Sequence, residues 1–137
     1  MFNVFNKDGS DNNKNAIDYN KIGINHVTGT FDGQSNKLYI NGQLVSENNK
    51  KLVVGDRDGD SIIGRDPYGN SRYYDGKIIS LQIWNKALSQ EEIQKNMTKT
   101  LTGKENGLVA YYPFDESEGT TLTDKAGNND GTINGAT

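Results

Sequence analysis

The dipeptide Asn41-Gly42 sits between two apolar-alternating runs, Lys37-Leu38-Tyr39-Ile40 and Gln43-Leu44-Val45-Ser46. A two-residue hairpin turn needs positive φ at both central positions, which Asn and Gly tolerate and most residues do not. The dipeptide therefore predicts an antiparallel hairpin. One hairpin alone buries too little to persist in water, so further strands are required. The sequence offers Phe2 to Phe5, Ala16 to Tyr19, Ile22 to Phe31, Leu52 to Val54, Ser61 to Gly64, Leu108 to Phe114 and Thr132-Ile133. The longest candidate is Gly76 to Trp84. There Ile78, Ser80, Gln82 and Trp84 alternate with Lys77, Ile79, Leu81 and Ile83, apolar on both sides as in a central strand. Lys7 to Asn15, dense in Asp and Asn, reads as a loop, and Thr98 to Asn106 as a linker.

One helix is predicted near residues 89–97. Ser89 and Glu92 have the spacing of a capping box, and Leu88 and Ile93 that of a hydrophobic staple. Such a helix is too short to stand unpacked. Many short strands, frequent turns and a single helix define the fold class as all-β, a two-sheet antiparallel jelly-roll sandwich. Its core is expected to take Val27, Phe31, Leu38, Ile40, Ile78, Leu81, Ile83, Trp84, Val109 and Tyr111.

Length and charge narrow the function. At 137 residues the chain has the mass of one domain. Its net charge of -3 is built from interspersed signs, with no basic stripe, so nucleic acid is not an expected partner. No run approaches the roughly 20 apolar residues of a membrane helix, so no membrane insertion is expected. Met1-Phe2-Asn3-Val4-Phe5-Asn6 turns polar at once, and no signal peptide is expected within this chain. Cysteine is absent, and His26 is the sole histidine. A Cys–His or Ser–His nucleophile pair therefore has little to build on, and a His-based metal site is excluded. Asp115-Glu116-Ser117-Glu118 is acidic, but neighbours on an extended chain point to opposite faces, which does not make the carboxylate pair of glycoside hydrolysis.

Two loops are candidate sites. Asp56, Asp58 and Asp60 place three carboxylates at alternate positions around Gly59, a spacing that suits calcium and equally a solvated turn. Arg65, Asp66, Tyr68, Asn70 and Tyr73 form the other. Tyrosine faces stack on the apolar faces of sugars while amides and charges bond the hydroxyls, and the same tyrosines could instead cover a sandwich edge. Asp124 and Asn128 read first as residues that cap their own turn.

Three segments resemble a known family. His26-Val27-Thr28-Gly29-Thr30-Phe31-Asp32-Gly33 with Leu38-Tyr39-Ile40-Asn41-Gly42-Gln43-Leu44-Val45 is similar to the central hairpin of laminin-G-like and pentraxin-like domains, in the concanavalin A-like lectin/glucanase superfamily. Ile63-Gly64-Arg65, Tyr74-Asp75-Gly76-Lys77-Ile78 and Ile83 to Ile93 look like its closing strands and helix. Gly107-Leu108-Val109-Ala110-Tyr111-Tyr112-Pro113-Phe114-Asp115-Glu116, with Asp124, Gly127-Asn128 and Asp130-Gly131-Thr132, resembles its opening strand and loop, here displaced to the C-terminus. The resemblance implies a non-catalytic binding module, extracellular or at the cell surface, that contacts carbohydrate or a cell-surface protein. Calcium is the cofactor it would allow. Asp66 falls where pentraxin-like members carry an acidic calcium loop, whereas Arg65 replaces an acidic residue there. The Glu-x-Asp-x-x-Glu motif of the superfamily's glucanases is absent, which sets a glycoside hydrolase behind the binding reading.

The order divides the chain into residues 1–106, the central and closing strands, and 107–137, an opening-strand segment. Either the chain is a slice through tandem repeats or it is a permuted unit. The second segment completes the sandwich in cis, or in trans by exchange with a neighbour, which would make a homo-oligomer and a self-assembling structural subunit. Deleting residues 107–137 is expected to unfold the remainder, read as loss of the thermal transition in circular dichroism. A soluble truncated chain with unchanged melting would show that the segment is dispensable.

Overall fold

The computed structural model describes residues 23–49, 59–65 and 73–136, together with the backbone of two strands at 2–5 and 11–15. Among the described residues the chain forms antiparallel sheets and one short helix, in keeping with a jelly-roll sandwich. Strand β1 (Phe2–Phe5) pairs with β2 (Asp11–Asn15). The segment of Asp and Asn residues read as a loop is therefore a strand in its second half, since ladder bonds to β1 outweigh the weak strand preference of Asn and Asp. The expected strands at 16–19 and 52–54 lie outside the described residues.

Strands β3 (Val27–Phe31), β4 (Asn36–Ile40) and β5 (Gln43–Asn48) make a three-stranded sheet with β4 in the middle, and β2 lies alongside β4 and β5. The β4–β5 turn has φ of 51° at Asn41 and 73° at Gly42, the positive pair that the dipeptide predicted. Two neighbours fix this turn. Asn41 N–H donates to the His26 carbonyl (2.8 Å), and Asn41 Oδ1 accepts from His26 N–H (2.9 Å). On the other side, Gln94 Nε2 donates to the Gly42 carbonyl (3.0 Å), and a Cβ at Gly42 would stand 2.6 Å from Gln94 Cγ. The residues ahead of Val27 thus bond the turn rather than lengthen the ladder, and β3 is shorter than its alternation suggests.

Helix α1 (Gln90–Asn96) begins as predicted. Ser89 Oγ accepts from Glu92 N–H (3.2 Å), and Glu92 Oε2 accepts from Ser89 N–H (2.8 Å). Glu92 Oε1 also takes Lys86 Nζ at 2.6 Å, so one carboxylate closes the cap and anchors the approach to the helix. Leu88 and Ile93 are both buried, and they form a core with Tyr39 against which Trp84 packs.

Strands β6 (Leu81–Trp84) and β7 (Leu108–Tyr112) pair antiparallel within the chain, with Leu81 opposite Tyr112 and Ile83 opposite Ala110. The register slips before Trp84, which faces Leu108 and leaves Val109 as the extra residue of a bulge. Pro113 follows β7 and has no N–H to extend the ladder. A short hairpin of β8 (Thr121–Leu122) and β9 (Gly131–Thr132) closes a second core, in which Ala110, Tyr112 and Leu122 meet Leu81, Phe114 and Ile133.

The segment 98–106 is not a loose linker. Leu101 and Gly103 are buried, and Glu105 accepts from the N–H groups of Thr102 and Gly103. At Gly103, φ is +83° and an added Cβ would fall 2.1 Å from the Lys125 carbonyl oxygen.

Of the expected core, Leu38, Ile40 and Tyr111 are buried, and Phe31, Leu81 and Trp84 are partly covered. Val27 (60% exposed), Ile78, Ile83 and Val109 are instead exposed. Val27 opens an edge strand of the described sheet, and Val109 is the residue extruded by the bulge. Ile78 and Ile79 join no ladder among the described residues, where only the last four residues of the expected long strand are paired. Ser61 to Gly64 is likewise not in a strand.

Ile93, 1% exposed, is the most buried large side chain of the helix core. Ile93→Ala is expected to cost about 2–5 kcal/mol in urea unfolding, from lost transfer energy and the cavity left behind. A change below about 1 kcal/mol would show that the helix packs loosely.

Candidate functional site

Two short segments form a neck. Tyr74 N–H donates to the Gly64 carbonyl (2.7 Å), and Arg65 and Tyr73 are partners in an isolated antiparallel bridge. Gly64 takes φ of +84°, which turns the chain into the neck and suits a residue without a Cβ. Directly opposed residues project their side chains to the same face, with Cβ atoms about 4.5–5.5 Å apart. Arg65 and Tyr73 therefore stand side by side, and both are exposed, Tyr73 by 65%. Tyr74 behaves differently: its ring and hydroxyl lie over Gly76, where an added Cβ would come within 2.9 Å of them. Tyr74 is nonetheless 61% exposed, so the neck presents one cation with two exposed aromatic rings, of which Tyr73 stands directly opposite it. Asp66, Tyr68 and Asn70 lie between Arg65 and Tyr73 in the sequence and outside the described residues.

The acidic loop is less complete. Asp60 is exposed next to Gly59, while Asp56 and Asp58 lie outside the described residues. Among the described residues no three His, Cys, Asp or Glu side chains assemble into a group that could hold a metal. Calcium wants several oxygen ligands. Of the four candidate carboxylates, Asp60 alone falls within the described residues.

Asp124 is the strongest polar centre. Its buried carboxylate accepts four hydrogen bonds: Oδ1 from Tyr111 N–H (2.9 Å) and Ala126 N–H (2.9 Å), Oδ2 from Asn129 N–H (3.2 Å) and Nδ2 (3.0 Å). Its own N–H donates to Asp130 Oδ1 (2.8 Å). Burial alone would raise its pKa, but the bonds from Tyr111, Ala126 and Asn129 outweigh this and hold it well below the usual carboxylate range. The turn-capping reading of Asp124 holds, with one addition: the carboxylate also reaches across to β7. Asn129 and Asp130, not the exposed Asn128, supply the partners. Glu116 plays a similar part, accepting from Thr123 N–H (2.9 Å). These acids are absorbed by backbone donors, so they serve the fold. His26 is half-buried, with Nδ1 3.3 Å from Thr28 Oγ1, and burial lowers its pKa toward the neutral imidazole.

Sequence reasoning named Arg65 and Tyr73 but not their opposition, because nothing local in the sequence fixes which residues pair across a loop. Asn129 and Asp130 lie within a few residues of Asp124, whereas the reach of Asp124 to Tyr111 is long-range and leaves no local signal.

Comparison with known proteins agrees with the fold. A laminin-G-type family model, described as the concanavalin A-like lectin/glucanases superfamily, matches residues 4–94. The chain belongs to that superfamily. Among solved structures it is similar to a candidate carbohydrate-binding protein from Bacteroides ovatus, at 28% identity and a TM-score of 0.68, over 81% of this chain and 34% of that one. It is also similar to an S-layer domain-containing protein from Clostridium thermocellum, at 31% identity and a TM-score of 0.50, over 58% of this chain and 42% of that one. The chain thus spans about a third to two-fifths of the length of these structures. No curated protein matches.

The depressed pKa of Asp124 fixes a pH dependence. An unfolded Asp titrates near 3.9, so a folded value below it stabilises the protein above roughly pH 5. That contribution is lost as pH falls below about 4 toward the folded value. Asp124→Asn is expected to remove about 3 kcal/mol at pH 7, since an amide turns N–H groups toward the donors the carboxylate accepted. It should also flatten the acid limb of a Tm-against-pH curve. An unchanged acid limb would show that other carboxylates govern acid unfolding.

Proposed function

We propose that the chain is a non-catalytic carbohydrate-binding module that works outside the cell or on its surface, with the neck at Arg65 and Tyr73 as its contact site. The single observation that carries the reading is the opposition of these two residues across the Arg65–Tyr73 bridge, both exposed and on one face. An exposed tyrosine ring stacks on the apolar face of a pyranose, and the adjacent guanidinium donates to ring substituents. Asp66, Tyr68 and Asn70 are the proposed additional contacts from the loop. Likeness to a candidate carbohydrate-binding protein supports the ligand class, and likeness to an S-layer domain-containing protein supports a surface location. Among the described residues no helix is long and apolar enough to cross a membrane. The acids with resolved partners serve turns and caps rather than facing one another as a catalytic pair, which supports a role without hydrolysis.

The second reading is a structural subunit that self-assembles by strand exchange. It is favoured by the exposed Ile78 and Ile79, which join no ladder among the described residues and offer an apolar stretch to another strand. Light scattering on chain refolded at a series of micromolar concentrations separates the two, because a monomer after refolding at every concentration fits only the first.

A glycan array probed with the folded chain is expected to give signal, and Tyr73→Ala to weaken the retained glycans about tenfold or more, equal to about 1.4 kcal/mol. Absence of signal from a chain shown folded by circular dichroism would remove the carbohydrate reading.

A further inference from the structure

We infer that the neck selects acidic saccharides, those carrying a uronate carboxylate, with Tyr73 as the stacking platform and Arg65 as the charge reader. This rests on the reading of the neck as a saccharide contact site. Stacking on an aromatic face discriminates little among pyranoses, because each offers an apolar face. Selectivity must then come from the group beside the ring, and here that group is a guanidinium. Arg is always charged, offers only donors, and presents them as a planar fork that matches a carboxylate in two parallel bonds. A neutral hydroxyl uses one arm of that fork and leaves the charge unanswered.

Three observations make the guanidinium available for this. Arg65 is exposed. Among the described residues no carboxylate forms an ion pair with it. Its place is fixed by the backbone, through the bridge to Tyr73 and the Tyr74–Gly64 hydrogen bond, and not by the side chain itself. The spacing suits one sugar: about 5 Å separates opposed Cβ atoms, so a ring on Tyr73 brings its exocyclic carboxylate within reach of the long Arg65 side chain. The chain as a whole carries a charge of -3, which repels polyanions at long range. The selectivity is therefore local and depends on this one cation.

Titration calorimetry with oligogalacturonate and oligoglucuronate, each against its carboxyl-reduced neutral counterpart, tests the inference on the full chain in low salt. The acidic forms are expected to bind about fivefold more tightly, as one exposed ion pair permits, and the preference should shrink in 0.5 M salt. Arg65→Gln should abolish the preference by weakening the acidic forms more than the neutral ones, and Arg65→Lys should keep part of it. Tyr73→Ala should weaken both forms alike. Equal binding of acidic and neutral forms, or a preference that survives Arg65→Gln, overturns acidic selectivity and leaves the carbohydrate module standing. Binding of no saccharide by a folded chain overturns both.

Discussion

The antiparallel ladder between Leu81–Trp84 and Leu108–Tyr112 stands between two small cores. Alternation sends Leu81 and its partner Tyr112 to one face, where they meet Leu122, Phe114 and Ile133. Trp84 goes to the other, where it packs on Tyr39, Leu88 and Ile93. Among the described residues this ladder lets a single pair of strands serve both cores. The bulge at Val109 makes this geometry workable. It gives Trp84 a partner at Leu108 while keeping Ala110 in phase with Ile83.

Around these cores the fold leans on polar groups that meet backbone donors. Asp124 joins β7 to the C-terminal turn, Glu92 joins Lys86 to the helix cap, and Glu105 folds the 98–106 segment on itself. Each carboxylate replaces apolar contacts that the sequence does not contain. The arrangement also accounts for where the candidate site lies. Segments 59–65 and 73–80 contribute no buried large side chain to either core, so their side chains are free to face solvent and a ligand.

What the sequence revealed divides along the range of the interactions. The Asn41-Gly42 turn and the Ser89–Glu92 cap are set by residues within a few positions of one another, and both stand as predicted. The resemblance to laminin-G-like domains likewise named the superfamily. Burial on two-sided strands was not legible. Ile78, Ile83 and Val109 have the same local pattern as Leu81 and Tyr111, and only the register and the bulge decide which are covered. Asp11 to Asn15 looks like a loop by composition and becomes a strand because β1 offers it a ladder. At the site, the residue types of Arg65 and Tyr73 were visible, but their opposition across the neck is a long-range fact. The acidic triad stands apart from these cases. Spacing alone suggested a cation site, and of its three members only Asp60 falls within the described residues, exposed.

The close approach of Gly103 to the Lys125 carbonyl bears on how fast copies of this chain could trade parts. For β7 to leave β6 and join another molecule, residues 98–106 must swing as a hinge. That hinge is pinned: Leu101 is buried, and Gly103 lies under the turn that Asp124 organises. Opening it therefore breaks the second core and the Asp124 network in the same event, so exchange has no low-barrier route through local fraying. Its rate is tied to the rate of unfolding itself. A population of exchanged chains would be set during folding, when concentration is high and the hinge is not yet closed, and would then persist for as long as the folded state does.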